Sequence, residues 1–359
     1  MEPKSETRIE GYAADISSIR EAQGRIKSFI RRTDVLTSKT LNALSGKHLF
    51  FKCECFLNGY IGSFKIRGAC NAVFSLDDDQ AAKGVVTQSS GNHGAALAFA
   101  AKMRGIPAYV AMPSIAPKCK FENVMRYDAQ IIKCDPTLQS RETTASTIVQ
   151  QTGAILIPSS NDPRIISGQG TMFLELLEQV PQLDTIIAPI SGGGMIVGID
   201  SLAAKSINPS IRVLAAGPSG ANDAFQFEAA IKIIRLPETK TIADGLRAFL
   251  GNHTWPVLRD LVDDIILVED DEIVEAMKLC YQVLKVAVAP SGAVALAVVL
   301  SKSFLNNPIW QNECNRIGIV FSGGNVDLGV LWESLRNLET RRFLPNTFLQ
   351  VTSYTHLNY

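Results

Sequence analysis

Short β-branched runs alternate with stretches of helical periodicity from about residue 84 to residue 216. Residues 84–87, 108–112, 130–133 and 154–157 read as strands, and segments such as 92–104 between them as amphipathic helices. That order predicts a parallel sheet covered by helices on both faces. Upstream, Ile16, Ile19, Ile26, Phe29 and Ile30 fall at helical spacing within 14–31, and a strand around 49–53 follows. Downstream, strands at 185–190, 212–216 and 317–321 and a helix at 195–206 predict a second sheet. The expected class is α/β with two lobes. The large domain is discontinuous, from 1–83 and 162–340, the small domain is inserted at 84–161, and 341–359 forms a C-terminal tail without periodicity. A cleft between such lobes is where ligands of α/β proteins sit.

Length supports two lobes, since 359 residues exceed what one core usually fills. With 35 basic and 35 acidic residues and no long run of either sign, nothing recruits nucleic acid or an anionic membrane surface. The first fifteen residues are polar and no stretch has the length of a membrane span, so a cytoplasmic protein is expected. Seven scattered cysteines argue against a disulfide framework. Cys53 and Cys55 share a face of the expected strand, but zinc needs four ligands and no second close pair exists, so they read as buried thiols.

Four segments carry candidate chemistry. In Ser63-Phe64-Lys65-Ile66-Arg67-Gly68, Lys65 falls in the first turn of a helix that Ser63 is expected to cap. There the positive end of the helix dipole eases loss of the amine's proton, as an imine-forming nucleophile requires. In Ser191-Gly192-Gly193-Gly194-Met195, between an apolar strand and a helix, three glycines let an anion approach free amides, which suits a phosphate. The segment lacks the endings of nucleoside-triphosphatase and dinucleotide loops. Ser89-Ser90-Gly91-Asn92-His93-Gly94 offers hydroxyls and amides to a carboxylate, and the Asn92 amide to a phenolate oxygen. His93 ranks below Ser90 as a proton carrier, because a helix start favours a structural use of the ring. Ser322, in Ser322-Gly323-Gly324-Asn325, presents a neutral hydroxyl to an approaching ring. Together these parts suit pyridoxal 5′-phosphate.

The four segments, with Gly168-Gln169-Gly170-Thr171 and Ser322 to Leu328, resemble the fold-type II pyridoxal-phosphate enzymes, within them the serine racemase and serine/threonine dehydratase family. The likeness runs from about Tyr12 to Leu335, and its wording is nearest to plant members. It implies a tryptophan synthase β-like fold, with the large domain holding the cofactor and the small one closing over substrate. By resemblance Lys65 is the Schiff-base lysine and the base on one face of the substrate carbon, with Ser90 the acid/base on the other. Phe64 packs near the ring, Asn92 binds the 3′ oxygen, Ser191, Gly192, Gly193, Gly194 and Met195 cradle the phosphate, and Ser322 meets the ring nitrogen. Ser89, Ser90, Gly91, Asn92 and His93 supply the substrate-binding loop, and Arg141 approaches from the small lobe. A neutral Ser322 leaves the ring nitrogen largely unprotonated, which favours two-base exchange or rapid loss of a β-hydroxyl over a long-lived carbanion. A small amino-acid substrate and a homodimer are implied.

Several positions depart from the family pattern. The relatives' divalent-cation site corresponds to Gly217, Ala221 and Asp223, where loss of a carboxylate predicts no tight metal. Ala289 stands where a glutamate is usual, Pro158-Ser159-Ser160-Asn161 where His-Pro is, and Gln88 where histidine is frequent. The loop 56–62 is longer and more apolar than in relatives. The leading expectation is racemisation or β-elimination of serine-like substrates. Two alternatives stay open: a retuned enzyme of specialised metabolism performing condensation, cyclisation or decarboxylation, and a cofactor-binding paralogue with little turnover.

Overall fold

A computed structural model describes residues 11–57, 59, 61–89, 91–230, 238–327, 329, 331–333 and 336, with backbone alone at 199–202 and 227–230. Residues 1–325 form one compact unit and 326–359 a second. The tail at 341–359 lies outside the described residues.

Two sheets organise the larger unit. Strands β1 (Val35–Leu36), β2 (His48–Cys53), β7 (Thr185–Pro189), β8 (Arg212–Pro218), β9 (Asp264–Val268) and β10 (Arg316–Phe321) form one, in the order β1-β2-β10-β7-β8-β9. Only β1 runs antiparallel. Strands β3 (Val85–Gln88), β4 (Ala108–Pro113), β5 (Gln130–Cys134) and β6 (Ile155–Leu156) form a wholly parallel second sheet, ordered β5-β4-β3-β6. The chain leaves the first sheet after β2 and returns at β7, and β2 pairs directly with the late strand β10, Leu49 opposite Ile317. Because β7 is buried along its whole length and β8 and β10 nearly so, their sequences read as continuous apolar runs, as parallel strands covered on both faces do.

The helix predicted over 195–206 is observed from Gly194 to Ile207, but its middle, Val197–Ala204, winds as a π-helix. Propensity does not signal that wider winding. Ser63 is not the cap of the lysine helix: Phe64 is, with φ −52° and ψ −22°, and Lys65 is the first residue of Lys65–Phe74. Ser63 is instead drawn into a bridge with Gly323, although its Oγ still accepts from the Lys65 amide at 3.4 Å. Cys55 lies not on β2 but in the 3-10 turn Glu54–Phe56 that follows it, and all seven cysteines are free.

The lysine helix crosses the helix Pro163–Gln179 with backbones touching. A Cβ built on Gly168 would stand 2.6 Å from Gly68 Cα and 2.7 Å from the Arg67 carbonyl. Two motif glycines, Gly68 and Gly168, are thus required by close packing of helices. Gln169 adds a hydrogen bond across the crossing, accepting from the Gly68 amide at 3.2 Å. Beneath it lies a charged cluster. The Arg67 guanidinium donates to both oxygens of Glu54 and of Glu175, and Lys52 Nζ donates to Glu175 at 2.9 Å. Lys52, Glu54 and Arg67 are wholly buried. Burial alone would lower Arg67's affinity for its proton, but the two carboxylates outweigh that and raise it, while Arg67 and Lys52 hold Glu175 below the usual carboxylate range.

Candidate functional site

Three of the four motif loops meet at the start of the lysine helix. The Phe64 amide donates to the Ser322 carbonyl at 3.1 Å and the Gly324 amide to the Gly62 carbonyl at 2.9 Å, so the Ser322-Gly323-Gly324 loop is stitched to the strand-like entry of Lys65. Asn325 Nδ2 donates to the Ile61 carbonyl at 2.6 Å and to Asn92 Oδ1 at 3.0 Å. The second bond brings in the Ser89–Gly94 loop and occupies Asn92 Oδ1 as acceptor, which leaves the Asn92 NH2 as the donor. Gly62, with φ +46°, makes the turn that permits this approach. Ser322 is buried, and the Ala289 amide donates to the Gly323 carbonyl at 2.9 Å.

Lys65 is half-buried, its Nζ 4.9 Å from the Phe64 ring centroid and donating to the Ser159 carbonyl at 2.8 Å. Burial without a carboxylate partner pulls its pKa down to about 8. The sign is that of a buried cation: above that value the amine is neutral and nucleophilic, below it protonated. The rate at which cofactor-free protein captures an aldehyde is therefore expected to climb with pH around a midpoint near 8. Stopped-flow absorbance across pH 6.5–10 checks this, and a midpoint near the ordinary lysine value of about 10.4 would contradict it.

The Ser89–Gly94 loop joins β3 to the helix Asn92–Arg104. Ser89 Oγ accepts from the Gly91 amide at 3.3 Å, and a Cβ built on Gly91 meets nothing within 4 Å, so this loop borders open space. A Cβ on Gly94 would stand 2.5 Å from the Ser89 carbonyl, so the loop closes tightly behind itself. His93 is buried, and the Ile157 carbonyl 3.1 Å from Nε2 can only accept, which places the proton on that nitrogen. Burial foremost, and the charge of Lys65 next, bring its pKa to about 4, so the ring is neutral at physiological pH. Ser90 lies outside the described residues. Among the described residues, Thr87 Oγ1, Gln88 Oε1 and His93 Nδ1 are buried without a partner. These three polar atoms flank the carboxyl end of β3, the end at which parallel sheets bind ligands.

The triple-glycine loop leads from β7 into the helix beginning at Gly194, whose cap, Gly193, offers no side-chain hydrogen bond. Its first amides are thus not taken by a capping side chain, the arrangement a phosphate uses. Ser191 Oγ accepts from the Ala248 amide at 2.9 Å and Met195 is buried. Among the described residues, Arg141 makes no hydrogen bond to this cluster. It sits in the first turn of the helix Leu138–Thr152, its amide on the Thr137 carbonyl and its buried Nε without a partner among the described residues. Two hollows of about 340 and about 500 Å³ lie elsewhere, and neither is lined by Lys65.

The residues fit pyridoxal phosphate: a desolvated amine, an uncapped glycine-rich helix start, an amide donor and orphaned polar atoms around an open loop. At the divalent-cation position the fit is poor. Gly217 in β8 contributes no side chain, and Ala221 lies in the 3-10 turn Ser219–Ala221. Asp223 is 3 % exposed, with Oδ2 unpartnered among the described residues and its carboxyl pushed up by burial to about 6.

Ser159, Ser160 and Asn325 carry contacts that sequence reasoning did not assign. Asn325 stood inside a quoted motif, so its position was visible without its role. For Ser159 the acting group is a carbonyl, which every residue possesses.

A family model described as pyridoxal-phosphate dependent enzyme matches residues 26–323. The chain is similar to the serine racemase of Arabidopsis thaliana, 62 % identical over 92 % of this chain and 99 % of that protein. It is 45 % identical to the serine racemase of Homo sapiens over 88 % of this chain and 93 % of that one. The solved structure of maize serine racemase superposes with a TM-score of 0.87 at 59 % identity, covering 92 % of this chain and all of that one. The solved structure of the serine racemase from Dictyostelium discoideum gives 0.82 at 43 % identity, with 88 % of this chain and 99 % of that one covered.

Proposed function

Because the chain belongs to the pyridoxal-phosphate dependent enzymes, of fold-type II, we propose that it racemises serine and eliminates water from it. The observation that carries this reading is the desolvated Lys65 amine, placed where the entry loop, the Ser322 loop and Asn92 are hydrogen-bonded into one surface. The cofactor, when bound, draws electron density from the substrate's α-carbon and so makes its proton removable. Lys65 is the base that takes that proton on one face. Ser90 is the acid/base on the other, and a proton delivered from its side yields the enantiomer. Loss of the β-hydroxyl instead ends in pyruvate and ammonia.

Positioning falls to the remaining loops. Ser191, Gly192, Gly193, Gly194 and Met195 hold the phosphate at the uncapped helix start. Asn92 donates to the cofactor's 3′ oxygen, Phe64 packs near its ring, and Ser322 offers the ring nitrogen a neutral partner. The amides and hydroxyls of Ser89, Gly91 and the helix start at Asn92 and His93 hold the substrate carboxylate. His93, neutral and tied to Ile157, holds the loop rather than moving a proton. Arg141, its Nε unpartnered among the described residues, supplies a cation from the small domain at 84–161, and residues 1–83 with 162–340 form the cofactor-binding domain.

Incubation with L-serine and pyridoxal phosphate is expected to yield both D-serine, by chiral chromatography, and pyruvate. Absence of both, with ammonia released from another amino acid in a panel, would favour the second reading, a retuned pocket. Ala289 favours that alternative, because a small apolar side chain, 6 % exposed, packs beside the Ser322 loop where relatives carry a carboxylate.

Divalent-metal binding is weak or absent in this proposal, since Asp223 is left as a lone carboxylate. Calorimetric titration is expected to show no tight Mg²⁺ site, and micromolar affinity abolished by Asp223→Ala would overturn that. The family likeness also supports a homodimer, which light scattering would report as twice the 39.0 kDa chain mass. No helix among the described residues is long and apolar enough to cross a membrane.

A further inference from the structure

The segment Pro158-Ser159-Ser160-Asn161, which leads from β6 to the helix Pro163–Gln179, touches both halves of the cofactor site. The Ser159 carbonyl accepts from Lys65 Nζ at 2.8 Å. One residue later, Ser160 lies against two of the three loop glycines. A Cβ on Gly192 would stand 2.4 Å from Ser160 Oγ and 3.1 Å from Ser160 Cβ, and one on Gly194 would stand 2.8 Å from Ser160 Cα and 3.0 Å from its carbonyl oxygen. Asn161 ties the next turn to the far side of the loop: Nδ2 donates to Asn252 Oδ1 at 2.7 Å and Oδ1 accepts from the His253 amide at 2.9 Å. Leu250 and Thr254, from that same stretch, fill the place a Cβ on Gly193 would need.

Gly193 has φ +80° and needs glycine for conformation as well as space, whereas Gly192 and Gly194 lie outside the left-handed region and need it for space alone. Gly192 is thus crowded by Ser160 and, at 3.1 Å, by the Phe249 carbonyl oxygen, and Gly194 by Ser160.

We propose that Ser160 is a positioning residue for phosphate binding: it braces the Gly192-Gly193-Gly194 loop so that the amides of the helix start face the phosphate at the right distance from Lys65. The inference rests on the pyridoxal-phosphate reading and deepens it. A brace on the phosphate loop acts on the phosphate and not on the aldehyde, and this separates it from a general structural role. Ser160 is expected to govern affinity for pyridoxal 5′-phosphate while leaving the affinity for pyridoxal, which lacks the phosphate, nearly unchanged.

The test is a set of fluorescence titrations of cofactor-free protein with each of the two compounds. Gly192→Ala is expected to weaken pyridoxal 5′-phosphate binding about tenfold or more and pyridoxal binding by less than about twofold, a difference of roughly 1 kcal/mol or more. Ser160→Gly, which removes the two Ser160 side-chain atoms from the clash, is expected to restore most of the loss in the double variant. The same Ser160→Gly change is expected to restore much less of Gly194→Ala, whose two tightest clashes, at 2.8 and 3.0 Å, are with main-chain atoms of residue 160 and outlast removal of the Ser160 Cβ at 3.1 Å. Equal weakening of both compounds, failure of the rescue at Gly192, or equal rescue at Gly194 would overturn the proposal. If Gly192→Ala does not fold, Ser160→Val presses on the same contact from the other side. It should lower the preference for the phosphorylated compound by about tenfold, and an unchanged preference would overturn the proposal. Borohydride reduction of wild-type protein with pyridoxal 5′-phosphate tests the underlying reading separately. If Lys65 is labelled and the rescue fails, only the role of Ser160 falls.

Discussion

Lys65→Ala is expected to abolish borohydride-fixed labelling and to lower production of both D-serine and pyruvate by about a thousandfold or more, the scale on which loss of a covalent nucleophile and base is felt. Lys65→Arg should fail to the same extent. A guanidinium keeps the charge and much of the length but cannot be deprotonated in a protein, whereas the burial that brings the Lys65 amine to about 8 makes a neutral amine abundant near physiological pH. Both variants should keep the wild-type fold, because among the described residues the amine has one hydrogen bond, to the Ser159 carbonyl, and no ion pair. Reduction with borohydride, followed by peptide mass analysis, gives the first readout, and chiral chromatography with a pyruvate assay the second. Persisting label on another lysine, or turnover in Lys65→Arg, would remove this residue from the chemistry.

The two sheets and the insertion of one sheet's strands between those of the other were legible because fully buried parallel strands must be apolar throughout. Runs such as 185–190 and 317–321 have no other reading once helices separate them. Candidate chemistry was legible wherever it resides in side chains, as at Lys65 and Asn92, or in a run of glycines. Main-chain work was not. The Ser159 carbonyl that holds the amine and the bridge between Ser63 and Gly323 depend on which backbone passes by, and sequence patterns carry no record of that. The displaced helix cap has the same origin: a serine two residues before Lys65 has the chemistry of a cap, but its backbone is committed to a bridge with Gly323 in the loop after β10. Glycines divide in an instructive way. Gly68 and Gly168 stand in motifs of a cofactor enzyme and yet are fixed by the contact of two helices, Gly194 by Ser160, and Gly192 by Ser160 with the Phe249 carbonyl. A residue can stand in a motif because the architecture needs it, whether or not it touches the ligand.

Arg67 is the strongest instance, a motif residue two positions after Lys65 that faces the interior. Glu54→Ala is expected to destabilise the protein by about 3–5 kcal/mol, because it leaves the buried cluster with two cations against the single carboxylate of Glu175. Thr33 Oγ1, which donates to Glu54 at 2.7 Å, loses its acceptor as well. Replacing both partners gives the opposite expectation. Glu54→Leu with Arg67→Met removes one charge of each sign and leaves Lys52 and Glu175 paired at 2.9 Å, so the interior stays neutral. The double variant should therefore be more stable than Glu54→Ala, although it has lost more hydrogen bonds, as replacement of a buried ion pair by apolar side chains of similar volume costs little. Urea denaturation followed by fluorescence ranks the three proteins. A double variant less stable than the single one would mean that the hydrogen bonds of Arg67, and not the balance of buried charge, hold the lysine helix against its neighbours.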